Sequence, residues 1–394
     1  MGSINIDNTG TGADVTLSSD GTDLLLDGTA IGGGGSALEL YAENPSSPTA
    51  PSATGTNAVA IGNNASASTL HSVAVGHNSV ASTSDYAFAA GPFTDATSRG
   101  ANAIGYAAQA TAQPYATAIA RSYASGADSF AAAIANNTST YGAQGANSIA
   151  IGKQAKASSN EAVAIGGNFQ TASSLYASTI GGTFNTNQGT RAIIAGGQSN
   201  TISTAGQYGV IVGGNSNNVT GSRGVIVGGD YNEANASHTF ATGEYAKAAE
   251  IGKLARATGR FSADGDAQGG QFILRADTTD ATATVLTTNN ATASTNNQIV
   301  AASDTCITFD GTITAMQNGA QAYASWKIEG LLVNDGGTTT LANSATTVIS
   351  NADGWGMALS ADNTNNALAI TVTGEAAHNI RWVANIRTTE VTYA

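Results

Sequence analysis

From about residue 57 to residue 259 the chain repeats one short pattern, a few small or branched apolar residues in alternation followed by glycine. Ala58-Val59-Ala60-Ile61-Gly62, Ser72-Val73-Ala74-Val75-Gly76, Ser148-Ile149-Ala150-Ile151-Gly152 and Ala162-Val163-Ala164-Ile165-Gly166 are clear copies. Anchored on the last position, the series runs Gly62, Gly76, Gly91, Gly105, Ala120, Ala135, Gly152, Gly166, Gly181, Gly196, Gly213, Gly228 and Gly243, in steps of 14 to 17 residues. Helical solenoids need units of roughly 20 residues or more, so this unit predicts two short strands and two turns. Alternation puts Val59 and Ile61 on one strand face and Ala60 on the other, and likewise in the other copies. One face therefore takes branched side chains and the other only a methyl group. That is the pattern of a narrow coil of stacked strands, one face looking inward and the other outward or toward a neighbouring chain. Glycine at the strand end permits a positive φ at the turn.

The stretch Ile151-Gly152-Lys153-Gln154-Ala155-Lys156-Ala157-Ser158-Ser159-Asn160-Glu161-Ala162-Val163-Ala164-Ile165-Gly166 resembles the head repeats of trimeric bacterial autotransporter adhesins. The resemblance implies a left-handed parallel β-roll, or β-solenoid, forming an intertwined homotrimer over residues 57–259. From Gly166 onward the unit takes a Gly-Gly-x-x-Asn form, as in Gly181-Gly182-Thr183-Phe184-Asn185 and Gly228-Gly229-Asp230-Tyr231-Asn232. Asparagine tolerates the left-handed region and bonds backbone groups in turns, so stacked asparagines are expected to satisfy turn amides from coil to coil. Glu244-Tyr245-Ala246-Lys247-Ala248 and Gly252-Lys253-Leu254-Ala255-Arg256 read as a charged end that shields the last strand edge.

Residues 1–44 hold short apolar groups, Ile4 and Ile6, Val15 and Leu17, and Leu24 to Leu26, too few for an independent core. The run from Ile4 to Gly28, with Leu38-Glu39-Leu40-Tyr41-Ala42-Glu43-Asn44-Pro45 after it, resembles the N-terminal segment of virion structural proteins of cyanophages and related tailed phages. That resemblance implies attachment to another particle protein. Gly32 to Gly35 reads as a joint, and 45–56, with Pro45, Pro48 and Pro51, as a stiffer linker. Over 260–394 larger apolar residues recur in alternation between Asn-, Asp- and Gly-rich turns. Phe272 to Leu274, Ile307 with Phe309, Trp326 with Ile328, Leu368 with Ile370, and Ile380 with Trp382 mark several of these strands. At least seven such strands predict a β-sandwich, jelly-roll-like. The fold class is all-β, a trimeric parallel β-roll rod with a C-terminal knob.

Composition narrows the chemistry. Charged residues are 10% of the chain, against roughly 25% in ordinary domains. The net charge of −13 leaves no electrostatic footprint for nucleic acid or an anionic membrane. Cys306 is the lone cysteine, so no intrachain disulfide forms. No apolar run approaches the roughly 20 residues of a membrane helix, and the start lacks the basic and apolar regions of a secretory signal. A product of the host cytoplasm that ends in a virion is expected, with no cofactor and no metal.

All three tryptophans lie in the C-terminal domain. Trp326 and Trp382, in alternating strands, read as core. Trp355, between Gly354 and Gly356, is the one residue singled out as a ligand contact. The acids Glu233, Glu244, Glu250, Asp264 and Asp266 show no spacing that suggests a single cleft, so no enzymatic activity is expected. Asp264-Gly265-Asp266 is too short for a calcium loop and reads as a polar hinge. His71 and His77 fall in successive turns, where a trimer would gather each into a ring of three. The function expected is a homotrimeric tail fibre or spike whose knob meets the host surface, with host polysaccharide as a partner. A capsid decoration or cement trimer is the alternative, and a bacterial surface adhesin the third reading.

Overall fold

The computed structural model describes residues 49–135, 139–319, 322–351 and 353–393. Upstream it describes the backbone of five strands, Ile4–Ile6, Val15–Ser19, Leu24–Leu26, Thr29–Ala30 and Leu38–Leu40. All regular structure among these residues is β. Two compact units, 1–106 and 107–394, divide the chain.

In the first unit the four strands from Ile4 to Ala30 pair in chain order as an antiparallel meander. Parallel coils follow. Val59–Ile61, Val73–Val75, Phe88–Ala90 and Asn102–Ile104 stack in one sheet, in register Val59↔Val73, Phe88↔Val73 and Phe88↔Asn102. Two-residue strands at Ser52–Ala53, Ser66–Ala67, Val80–Ala81 and Asp95–Ala96 form the second sheet. Pairing therefore begins at Ser52–Ala53, inside the stretch expected to be a linker. Leu38–Leu40 also pairs in parallel with Val59–Ile61. The joint at Gly32 to Gly35, Pro45, Pro48 and most of the expected attachment segment lie outside the described residues.

The second unit repeats the same coil from Gln109–Ala110 and Thr117–Ile119 up to Lys247–Ala248 and Leu254–Thr258. In both units an alanine of many strands points inward, the middle residue of the three-residue strands and the second of the two-residue strands: Ala60, Ala67, Ala74 and Ala81 in the first, and Ala118, Ala124, Ala150 and Ala157 in the second, have no exposed surface. The branched residues on either side look outward. The anchor positions turn as expected, with Gly76 at φ 133° and even Ala120 and Ala135 at 61° and 58°. A Cβ on Gly76 would stand 2.5 Å from the carbonyl oxygen of Gly91, a distance no side chain tolerates.

From residue 192 the interior changes size. Ile194, Ile202, Ile211, Val219 and Ile226 replace alanine and are fully buried. Glycine at the facing turns makes room for them: a Cβ at Gly209 would meet Val219 Cγ1 at 3.0 Å, and one at Gly224 the same atom at 2.9 Å. Glycine thus leaves space at these turns for the larger inward side chains, as close packing requires.

The Gly-Gly-x-x-Asn turns build the expected ladder with one correction. Asn185, Asn200, Asn217 and Asn232 are buried, while the residue before each, Phe184, Ser199, Ser216 and Tyr231, takes the left-handed conformation at φ 55–58°. Each asparagine points inward instead, and its Oδ1 accepts the backbone N–H of the next asparagine: Asn185 from Asn200 (3.0 Å), Asn200 from Asn217 (3.0 Å), Asn217 from Asn232 (2.9 Å). The side-chain amides donate to glycine carbonyls of the coil above, Asn217 to Gly229 and Asn232 to Gly243, both at 2.8 Å.

One sheet of the last coil is continued, since Leu254–Thr258 pairs antiparallel with Ala267–Thr278, register Leu254↔Gln271. The other ends at Lys247–Ala248, where the Gln268 side chain bonds the Lys247 N–H and carbonyl. The C-terminal sheet continues in the order Ala267–Thr278, Ile380–Thr392, Thr305–Gln317, Tyr323–Asp335, Thr338–Asn351. A smaller antiparallel sheet, centred on Ala367–Thr373, pairs with Gly356–Asp362, Thr284–Val285 and Ile299–Val300. The two sheets share one core, with Phe272, Phe309, Ile313, Trp326 and Trp382 from the first against Leu286, Ile299, Leu368 and Ile370.

Asn217→Ala should leave the Asn232 N–H buried without its partner and take one of two donors from the Gly229 carbonyl, which the Asn215 N–H still reaches at 3.0 Å, costing roughly 1–3 kcal/mol for the orphaned group. Denaturant unfolding measures this, and an unchanged midpoint would contradict the ladder's role.

Candidate functional site

Two features of the second unit stand apart from the repeat. One is the outward stripe of the three-residue strands. Val212 and Val227 are 47% and 49% exposed, and Ile119 and Ile180 are exposed with them on the same strand face. Val210↔Val225 and Val212↔Val227 are in register, so the apolar side chains line up from coil to coil. In the first unit Ile104 is exposed at the corresponding strand position, above the half-buried Val75 and Ile61. A row of aligned aliphatic side chains in water fits contact with another protein surface.

The other is a buried charge cluster where the last coil meets the C-terminal sheet. Lys253 is 3% exposed, and its ammonium lies 3.1 Å from Glu250 and 2.8 Å from Glu390. Gln268 Nε2 donates to the same Glu390 oxygen at 2.8 Å, and the Thr388 hydroxyl donates to its other oxygen at 2.6 Å. The Lys253 Nζ also sits 5.4 Å above the Phe272 ring. Burial alone would pull the lysine down, but Glu250 and Glu390 outweigh it and hold its pKa above the ordinary value. Burial pushes Glu250 up, Lys253 draws it back and Glu390 pushes it up again, with a net rise.

Beside this cluster lies a cavity of about 280 Å³ lined by Glu250, Asp264, Asp266 and Glu390, among others. Three of the five acids that the sequence scatters are therefore gathered on one cavity. Their roles differ. Asp266 accepts backbone N–H groups from Phe261, Ser262 and Ala263 at 2.6–3.2 Å; burial works against its charge, but these bonds prevail and lower its pKa. It shapes the loop from Phe261 to Ala263. Asp264 pairs with Arg260, while Glu233 pairs with Lys247 at 3.2 Å on the coil surface. Glu244 stands exposed. Among the described residues no group of three or more His, Cys, Asp or Glu is placed to hold a metal ion.

Sequence reading missed Glu390 as Lys253's partner. Its signal was present: Ile380–Thr392 alternates strictly between buried and exposed, which puts Glu390 on the inward face with Trp382 and Ile386.

Trp355 requires correction. It is 3% exposed, its ring 5.7 Å from Trp382, which in turn stacks on Trp326 at 5.8 Å. The Asn351 side chain bonds both the N–H and the carbonyl of Trp355, at 3.0 and 2.8 Å, fixing the loop over the core. No ring face remains for a ligand. His71 and His77 lie in different turns: His71 accompanies Asn57 (3.0 Å) and the Tyr86 ring (5.4 Å), and His77 the Phe93 ring (5.1 Å).

The YadA head domain repeat matches residues 53–79, 70–93 and 143–168, less than half of the chain. No curated protein matches significantly. Among solved structures, one similar to this chain is the tailspike protein gp49 from Acinetobacter baumannii bacteriophage Fri1, a capsular polysaccharide depolymerase. It is 10% identical at a TM-score of 0.21, over 85% of this chain and 61% of the tailspike. Another is the Acinetobacter phage vB_ApiP_P1 tailspike protein, 9% identical at a TM-score of 0.18, over 82% of both chains. This chain thus spans less than two thirds of the first tailspike's length. The Fri1 tailspike is described as a depolymerase, against the expectation of a chain without enzymatic activity, but at a TM-score of 0.21 that likeness assigns no activity to this chain. Glu250, Asp264 and Asp266, expected to share no single cleft, line one cavity.

Lys253→Met should leave Glu250 and Glu390 buried without their cation, at a cost of roughly 3–5 kcal/mol near neutral pH. Burial already holds the folded pKa of Glu250 above its unfolded value, and removing Lys253, which draws it down, raises it further. Its contribution is then fully present below the unfolded glutamate pKa and is lost as pH rises through the folded value. The variant's deficit against wild type should therefore shrink from pH 8 to pH 4. Thermal melts across that range check it, and a deficit independent of pH would contradict the assignment.

Proposed function

We propose that this chain is a homotrimeric, virion-borne appendage of the phage tail fibre or spike type, its solenoid flanks packed against two sister copies and its C-terminal domain carried three times toward the host surface. The observation that carries this reading is the aligned outward stripe of Val210, Val212, Val225 and Val227 and its counterparts, branched apolar side chains left on the outer face of coils whose own interior is already filled by Ile211, Val219 and Ile226. The YadA head repeat matches support it, because they fall on coils of this kind. Among the described residues no helix is long and apolar enough to cross a membrane. Three C-terminal domains on one stalk would add weak contacts into avidity.

Charge on the stripe is the direct test. With Val212→Asp and Val227→Asp together, three copies would bring six carboxylates to the shared axis. The variant should sediment below the trimer mass or aggregate, while wild type sediments as a trimer. An unchanged mass and melting temperature would refute the stripe as the subunit contact. Antibody labelling of purified particles should mark the tail, and labelling confined to the head would contradict the fibre reading.

A further inference from the structure

Between residues 162 and 229 the chain has no Asp or Glu and carries Arg191 and Arg223, within a protein of net charge −13. Both arginines occupy the turn that leads into the three-residue strand. In five successive coils that position reads Tyr176, Arg191, Tyr208, Arg223 and His238, all exposed. Each holds the left-handed conformation, φ 56–60°. Backbone bonds fix their register: the N–H of Arg191 donates to the Leu175 carbonyl (3.0 Å), Tyr208 to Thr190 (2.9 Å), Arg223 to Gln207 (2.8 Å) and His238 to Ser222 (2.9 Å).

The side chains stack in consequence. The Arg191 guanidinium lies 5.2 Å from the Tyr176 ring and 5.7 Å from the Tyr208 ring, and that of Arg223 lies 5.2 Å from Tyr208. Arg191 Nη1 also donates to the Tyr208 hydroxyl at 3.2 Å. Among the described residues neither arginine pairs with a carboxylate. Glu161, one coil before Tyr176 in the same turn, is the nearest acid along the ladder. Bulky residues pay for a left-handed φ, and the coil after His238 fills this position with Gly252, φ 75°. Glycine thus suits the turn, so the tyrosines and arginines are not there to make it.

We infer that this ladder is a binding strip for an anionic polysaccharide bearing carboxylate groups, laid along the stack. Tyrosine faces offer flat surfaces for the C–H faces of sugar rings. The guanidiniums between them offer planar, bidentate donors to carboxylates. At a strand spacing of about 4.8 Å the two tyrosines stand about 10 Å apart with one arginine between them, an alternation suited to a polymer of rings and spaced charges. A nucleic acid carries a charge on every nucleotide, and two arginines on a chain of net charge −13 fit it poorly. The inference rests on the appendage reading and says where on the solenoid the surface glycan would lie.

The test uses the full-length chain at low salt, with polygalacturonate, neutral dextran and oligothymidylate as probes, each titrated calorimetrically. Polygalacturonate should bind, dextran at least tenfold more weakly, and oligothymidylate not at all. Arg191→Gln with Arg223→Gln should weaken polygalacturonate binding at least tenfold at unchanged sedimenting mass. Tyr208→Gly should weaken it comparably without lowering the melting temperature, because glycine suits that φ. The strip is refuted if wild type ignores polygalacturonate, if oligothymidylate competes equally, or if the arginine variant binds as wild type does. It is also refuted if that variant changes the sedimenting mass, which would make the ladder a contact between copies. A correct trimer that ignores polygalacturonate would defeat this inference and leave the appendage reading standing.

Discussion

A coil lined by alanine gains little from its own interior. Ordering some 14 or 15 residues costs about 1–2 kcal/mol each in backbone entropy, while a buried methyl returns about 0.8 kcal/mol. With one inward alanine on each of its two strands, a coil such as Ala60 with Ala67, or Ala150 with Ala157, recovers only a small part of that cost. The remainder must come from parallel pairing between coils and from covering the branched side chains outside. Those side chains are aligned by the same register that pairs the backbones, so the pairing that builds the stack also builds the face that needs a partner. This dependence on outside cover is what the trimeric reading proposes to satisfy.

The second unit eases that constraint toward its C-terminal end. Isoleucine enters the interior at Ile194, Ile202, Ile211 and Ile226, glycine yields the space, and buried asparagines tie each coil to the next through side-chain bonds. Antiparallel pairing then hands the solenoid sheet to the C-terminal domain. That handover protects an edge that would otherwise be open to misassociation. Lys253, sitting between Glu250 of the last coil and Glu390 of the last strand, binds the two parts chemistry to chemistry.

Much of the fold was legible because its signals are local and periodic. Gly62 to Gly243 mark the turns, Val-Ala-Ile alternation marks the strands, and the change to Gly-Gly-x-x-Asn marks the onset of the ladder. What escaped depends on neighbours that spacing does not show. Whether alanine or valine faced inward is a question of coil width, and the buried alanines answer it. Which residue of each Asn turn goes left-handed depends on where the amide is needed, so Tyr231 turns and Asn232 bonds. Trp355 lies between glycines, as a surface loop residue would, yet Asn351 folds it onto Trp382. Lys253 and Glu390 meet only because the last strand returns beside the last coil.

The central claim, that a single copy lacks the interior to stand alone and is completed by two others, is most directly tested by sedimentation equilibrium combined with melting over a wide dilution series. The account predicts one species of three chains, each of 39.0 kDa, whose cooperative melting temperature falls on dilution. A monomer that melts cooperatively at a temperature independent of concentration would contradict it.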